Sequence, residues 1–180
     1  MDEQRAIESF LKQRDEETFC VLFKTVYGRV LRYFRLRGTD EMTAEELAQN
    51  VLLAVYRRAG EFQDQRLFRG WLFAIARNEL LQHWRRNRAR IQTVDLEPLR
   101  DVLVESNVAA GMQWRLEFEA WLGVLEPAER ELAHLRFVEG LSHEELAEVF
   151  AVPCGTIKSR LFYLKQKLGR SAGITVQDKP

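Results

Sequence analysis

The chain has 180 residues, 46% of them hydrophobic, 11% aromatic and 30% charged, which excludes a disordered polypeptide and leaves room for one domain or two small ones. Lys plus Arg and Asp plus Glu both total 27, so the formal net charge is zero and any polyanion-binding surface must come from how the charges are distributed. No stretch approaches the ~20 apolar residues of a membrane span, and residues 1–14 are polar, acidic and amphipathic without the apolar core of an export signal, so a cytoplasmic protein without membrane insertion is expected.

In chain order, Phe19, Leu22, Phe23, Val26, Val30 and Phe34 recur on one helical face, predicting a helix over residues 18–37 that Gly38 ends. Thr43-Ala44-Glu45-Glu46 has the form of a capping box and is expected to open the next helix, with Leu47, Val51, Ala54 and Val55 as its buried stripe and Gly60 as its end. A polar loop follows. From Leu67 the apolar set Phe68, Trp71, Leu72, Ile75 and Ala76 is again helical and runs on into basic Gln82-His83-Trp84-Arg85-Arg86. Periodicity is lost from about residue 88 to residue 111, where Pro98 and Gly111 interrupt the chain. A tract of that length argues for an interdomain linker. Trp114, Phe118, Trp121, Leu122 and Leu125 restart a stripe, and Pro127 suits the first position of a helix that carries Leu132, Leu135 and Phe137 and ends at Gly140. Ser142-His143-Glu144-Glu145 is a second capping box, followed by Leu146, Val149 and Phe150. After a break at residues 151–155, Ile157, Leu161, Leu164 and Leu168 form a buried face. No period-two run of strand length occurs, so the fold class expected is all-α: two small helical domains joined by a flexible linker.

Charge is segregated along this pattern. Seven arginines against the single acid Glu79 lie between Arg66 and Arg90, and five cations without an acid lie between Thr156 and Arg170. Nine acids against three arginines lie between Ile91 and Glu131. Two basic blocks flanking an acidic tract suggest two nucleic-acid contacts, although solvated helix faces would give the same pattern. Residues 141–168 read as a helix-turn-helix whose second helix presents Thr156, Lys158, Ser159, Arg160, Phe162, Tyr163 and Lys165 outward, the residue types that reach base edges and phosphates in a major groove. An ordinary helical hairpin with a basic face is the plainer alternative. Residues 68–90 interleave Phe68, Trp71, Phe73 and Trp84 with arginines and Asn78, a composition suited to melted or single-stranded DNA. Phe68 and Trp71 fit a core stripe equally well, and Trp84 is the better candidate for an exposed ring.

No catalytic, metal or cofactor site is expected. His83, His134 and His143 are scattered, no Cys/His pair has metal-ligand spacing, and no Gly-rich loop is available for phosphate. The acid pairs 45/46 and 144/145 sit in helix first turns, where the helix dipole favours them. Cys20 and Cys154 are read as free thiols.

These motifs carry a family resemblance. Glu-Glu-Leu-Ala-Gln-Asn-Val-Leu-Leu at residues 45–53 resembles the polymerase-binding helix of bacterial sigma factors, and Phe-Arg-Gly-Trp-Leu-Phe-Ala-Ile-Ala-Arg-Asn at 68–78 resembles their strand-opening segment. The segments at 125–130, 137–147 and 152–161 resemble their −35 reader. The whole, over about residues 18–170, is similar to the two-domain extracytoplasmic-function (ECF) sigma factors of the sigma-70 family. The resemblance implies a sigma2-like domain at 1–90, a linker at 91–111, a sigma4-like helix-turn-helix domain at 112–170 and a tail at 171–180. It implies a transcription-initiation factor, not an enzyme, that binds core RNA polymerase (β′ clamp helices and β flap) and promoter DNA, with an anti-sigma factor as a further partner. Glu45, Glu46, Gln49 and Asn50 would dock on polymerase. Phe62, Asp64 and Arg66 of the loop would cradle a flipped −10 base, and Trp71, Arg77, Asn78, Gln82, Arg85 and Arg86 would hold the −10 strand and upstream duplex. Thr156, Lys158, Ser159, Arg160, Tyr163 and Lys165 would read −35. Asn50, Gln82 and Trp84 depart from the family pattern. The alternative reading is a stand-alone helix-turn-helix regulator that acts without polymerase.

Overall fold

The computed structural model describes residues 3–62, 64–91 and 125–171. The chain divides into two compact units near residue 104, within the tract expected to be the linker. The linker, the tail beyond residue 171 and the stripe from Trp114 to Leu122 lie outside the described residues. Among the described residues every regular element is helical.

The first unit contains α1 (Glu3–Gln13), α2 (Glu16–Arg35), α3 (Glu41–Arg58) and α4 (Phe68–Ile91), with short 3-10 turns at Ala59–Glu61 and Gln65–Leu67. Sequence periodicity assigned no element to the first fourteen residues. Glu3–Gln13 form α1 because Ala6, Ile7, Phe10 and Leu11 make a narrow stripe that is buried in the unit. Arg14 ends α1 in the left-handed region, φ 55°, and Asp15 then caps α2 by accepting from the Thr18 amide at 2.8 Å and the Thr18 hydroxyl at 2.7 Å. Along α2, Leu22, Val26, Val30 and Phe34 are buried at four-residue steps, and Gly38, φ 77°, turns the chain beyond it.

α3 does not start where a capping box at Thr43 would put it. Asp40 is the N-cap: its carboxylate accepts from the Thr43 amide at 3.0 Å and from the Thr43 hydroxyl at 2.7 Å. Asp40 lies three residues upstream and is as good a capping residue as Thr. It opens the helix earlier and leaves Thr43 as its donor inside the first turn. The buried face is Ala44, Leu47, Ala48, Val51, Leu52 and Val55. α4 adds Phe68, Leu72, Phe73, Ile75, Ala76 and Leu80 to the same core. Each large apolar side chain taken fully out of water stabilises the unit by about 1.5–3 kcal/mol.

The second unit contains α5 (Pro127–Ala133), a π turn at His134–Val138, α6 (His143–Phe150) and α7 (Cys154–Ser171). Pro127 takes the first helical position as expected, and the Glu129 carboxylate accepts from the Glu126 amide at 2.8 Å. Ser142 and Glu145 form the expected reciprocal box: the Glu145 amide donates to Ser142 Oγ at 3.1 Å, and the Ser142 amide donates to the Glu145 carboxylate at 2.8 Å. Leu132, Leu135, Leu141, Leu146, Val149, Ile157, Leu161 and Leu164 make the core, with Leu168 only half-buried. Lys167 reaches Glu129 at 2.7 Å and ties α7 to α5.

Candidate nucleic-acid and polymerase interfaces

Of the residues expected to dock on polymerase, Glu46 and Gln49 are exposed, and Glu45 and Asn50 are half-buried at the flanks of the same surface. The surface is larger than those four side chains. Met42 is 80% exposed, Leu53 47% and Tyr56 42%. Met42, Glu46, Gln49, Leu53 and Tyr56 follow one another at steps of four, three, four and three, which keeps them on one narrow face of α3. Exposed apolar side chains at a coiled-coil-like spacing give this face the form of a helix-docking seam. Sequence reading missed its apolar members. Their signal was present, because Leu53 falls outside the buried stripe of Leu47, Val51 and Val55.

The loop between the 3-10 turns places Phe62 half-buried against Trp71, ring centroids 4.8 Å apart and planes within 19°, with the edge of Phe68 at 5.8 Å. Phe68 itself is fully buried, so it supports the ring stack from the core. Asp64 accepts from the Arg66 amide at 3.0 Å and takes the Arg66 guanidinium at 3.1 and 3.0 Å. These Arg66 hydrogen bonds hold the Asp64 carboxyl below the usual carboxylate range. The pair fixes the shape of the loop while leaving Arg66 87% exposed.

Along α4, Trp71, Asn78, Gln82 and Arg85 share a face, and Arg86 adjoins it. Arg77 does not belong to this row. One residue from Asn78, it lies about 100° round the helix, and it shares its own side of the helix with Trp84, which is 45% exposed as its arginine surroundings implied.

On α7 the expected reader divides into two rows that flank the buried stripe and lie on nearly opposite sides of the helix. Thr156, Arg160 and Tyr163 form one, with Ser159 beside it, and Lys158, Phe162 and Lys165 form the other. Tyr163 is 67% exposed, and its ring meets Phe162 edge-on at 5.7 Å. Thr156 is half-buried, and the Ser159 hydroxyl donates to the Gly155 carbonyl at 3.1 Å. Ile157, Leu161 and Leu164, between the two rows and opposite Ser159, seat the helix, so the cations project from a fixed support. Cys20 is exposed, Cys154 is half-buried, and both are free thiols. Among the described residues no group of three or more His, Cys, Asp or Glu side chains is placed to hold a metal ion, and no helix is long and apolar enough to cross a membrane.

The order of these surfaces matches known proteins. Residues 22–90 match the Sigma-70 region 2 family, and residues 121–168 match Sigma-70 region 4. The chain is 31% identical over 154 residues to the ECF RNA polymerase sigma factor RpoE of Cereibacter sphaeroides, covering 82% of each protein. It belongs to the ECF group of the sigma-70 family and is an RNA polymerase sigma factor. It is 32% identical over 160 residues to the ECF sigma factor BldN of Streptomyces coelicolor, covering 87% of this chain and 61% of that relative's length. The fold is similar to RpoE of Bartonella quintana solved with the anti-sigma factor NepR, with a TM-score of 0.67 and 23% identity over 89% of this chain and 98% of that one. It is also similar to CnrH solved with the cytosolic domain of CnrY, with a TM-score of 0.64 and 20% identity over 95% of this chain and 97% of that one. The region 2 match covers the segment around α3 and α4 that a stand-alone helix-turn-helix regulator leaves unexplained, and that alternative is set aside.

Proposed function

We propose that this sigma factor divides promoter recognition between its units as follows. The Met42–Tyr56 face of α3, with Glu45, Glu46, Gln49 and Asn50, docks on the β′ clamp helices of core polymerase. Phe62, Asp64 and Arg66 of the loop and Trp71, Asn78, Gln82, Arg85 and Arg86 of α4 hold the −10 element as it melts. The Phe62–Trp71 stack meets bases, and the arginines follow the phosphates. Arg77 and Trp84, on the other side of α4, meet the upstream duplex. In the second unit Thr156, Lys158, Ser159, Arg160, Tyr163 and Lys165 enter the major groove of the −35 element while the unit rests on the β flap. No residue takes part in a chemical step: the protein contributes binding energy to base unstacking, which requires a few kcal/mol per extruded base. It works in the cytoplasm. An anti-sigma factor covers the exposed apolar side chains Met42, Leu53, Phe162 and Tyr163 when the protein is held inactive.

The observation that carries this reading is the arrangement of two separate units, each with a buried apolar core and a polar face suited to nucleic acid, in the order of regions 2 and 4. The test is reconstitution with core RNA polymerase followed by run-off transcription from genomic fragments. Promoter-specific transcripts that require both the chain and core polymerase are expected. Binding of duplex DNA without polymerase association would overturn it.

A further inference from the structure

The first unit carries a cleft that neither α3 nor α4 accounts for. Its volume is about 520 Å³, within the ~300–1,000 Å³ of small-ligand sites, and it is lined by Glu8, Leu11, Lys12 and Arg14 of α1 and its end, with Phe62 and Gln65 opposite. The region 2 match begins at residue 22, so the α1 wall lies outside it. One face of Phe62 is occupied by Trp71, and Phe62 also lines this cleft, which makes the cleft continuous with the ring stack. Leu11 and Phe62 supply apolar surface, Glu8 and Gln65 supply hydrogen-bonding groups, and Lys12 and Arg14 supply positive charge. That set fits a single nucleotide: a flat ring, polar ring edges and a phosphate.

Arg14 gives independent support. It stands in the left-handed region, φ 55°, at a helix end where Gly is the usual residue. Its Nε donates to the Leu11 carbonyl at 3.2 Å, and a methyl group on Gly60 would sit 3.7 Å from its guanidinium, so the cation is held between the end of α1 and the turn leading into the loop. The left-handed turn at Arg14 directs its side chain to the rim of the cleft; Ala151 ends α6 in the same conformation, φ 51°.

We propose that α1 forms the second wall of a nucleotide pocket, in which Glu8, Lys12 and Arg14 hold an unstacked base of the melted strand and its phosphate against Phe62. The proposal rests on the reading that the loop at Phe62 receives such a base. The ionised Glu8 carboxylate accepts hydrogen bonds and so meets the donor edge of the base, its exocyclic amino group or ring N–H.

The test uses the chain bound to core polymerase, with forked DNA from a promoter recovered by run-off transcription and an abasic nucleotide placed in turn at each unpaired position. At one position base removal is expected to weaken binding about fivefold or more, the low end for one stacked base. Glu8→Gln is expected to weaken the intact fork severalfold and to leave the fork that is abasic at that position unaffected, whereas Lys12→Ala, which loses a phosphate contact that the abasic nucleotide keeps, is expected to weaken both forks severalfold. Arg14→Gly, which relieves the backbone, is expected to weaken the intact fork without lowering the thermal midpoint of the free chain. Equal losses for Glu8→Gln on intact and abasic forks, or no loss for Lys12→Ala on either, would overturn the α1 wall. Coupling to the base in Phe62→Ala alone, with Glu8→Gln uncoupled, would overturn it while leaving the loop reading intact. No coupling at any position in Phe62→Ala would sink both.

Discussion

Leu52 and Leu53 are neighbours on α3 with opposite roles, and replacing each with Ala separates folding from polymerase docking. Leu52 is 1% exposed and belongs to the core of the first unit. Its truncation removes buried methyl groups and leaves a cavity, which costs about 2–5 kcal/mol, a large share of the 5–15 kcal/mol typical of a whole domain. Leu53 is 47% exposed, so its truncation should change the stability of the free chain by no more than about 0.5 kcal/mol. Docking on a partner helix would bury that exposed half. Complete burial of a leucine is worth ~1.5–3 kcal/mol, so about half of that, roughly 1 kcal/mol, is lost in Leu53→Ala, which corresponds to about fivefold weaker binding to core polymerase. Thermal denaturation of the free chains and competition for core polymerase against the unmodified chain measure the two quantities. Glu46→Lys should weaken docking in the same assay with the fold intact. If Leu53→Ala lowers the melting temperature as much as Leu52→Ala, or binds core polymerase as tightly as the parent, the assignment of this face is wrong.

In the second unit, Ser142→Ala should cost about 1 kcal/mol by removing the acceptor for the Glu145 amide, and hydrogen exchange along α6 should accelerate about fivefold. Lys158→Ala and Arg160→Ala should each weaken −35 binding by about 1–3 kcal/mol if they meet base edges, whereas a phosphate contact would weaken all sequences alike and flatten the salt dependence; gel shifts at two ionic strengths distinguish the cases. Asp15 and Asp40 are held below the usual 3.8 mainly by hydrogen bonds from Thr18 and Thr43, respectively. A lowered carboxyl stabilises the fold above its unfolded value and loses that contribution as pH falls through the folded one. Acid melts of the parent should therefore decline below about pH 4 more steeply than those of Asp15→Asn/Asp40→Asn, which keeps an oxygen acceptor that does not titrate.

The all-α class and the placement of α2, α6 and α7 were legible because their buried residues repeat at the helical period over several turns. Leu22, Val26, Val30 and Phe34 are one example, and Ile157, Leu161 and Leu164 another. The start of α3 was not legible, because Asp40 and Thr43 are both competent caps and local pattern does not rank them. α1 was missed because a four-residue stripe is too short to signal a helix until a core exists for it to cover. At the site, residue types were readable but their grouping was not. Arg77 and Asn78 are adjacent in sequence and point to different sides of α4, and the pairing of Asp64 with Arg66 within the loop is set by its turn and not by spacing. Glu8 and Arg14 were invisible as site residues because the cleft exists only when α1 packs against a loop about fifty residues away.

The zero net charge of this chain is compatible with two DNA-binding faces because electrostatics at physiological salt acts over a Debye length of about 8 Å. Asn78, Gln82, Arg85 and Arg86 of α4 and the two rows on α7 each spread their polar and basic groups over about two helical turns, roughly 10–12 Å at ~1.5 Å per residue, with neighbours in a row three or four residues, about 5–6 Å, apart. A phosphate at such a surface responds to the local cluster, while acids elsewhere on the chain are screened. Neutrality has a different consequence. Unlike a uniformly basic protein, the chain has no long-range field to draw it onto bulk DNA, so its sequence-independent attraction is weak. If α3 docks on polymerase as proposed, promoter search depends on the polymerase, and the basic faces act only once docking has brought them to the duplex. That order requires the docking seam to be accessible in the free chain, and the exposure of Met42 and Leu53 agrees with this requirement.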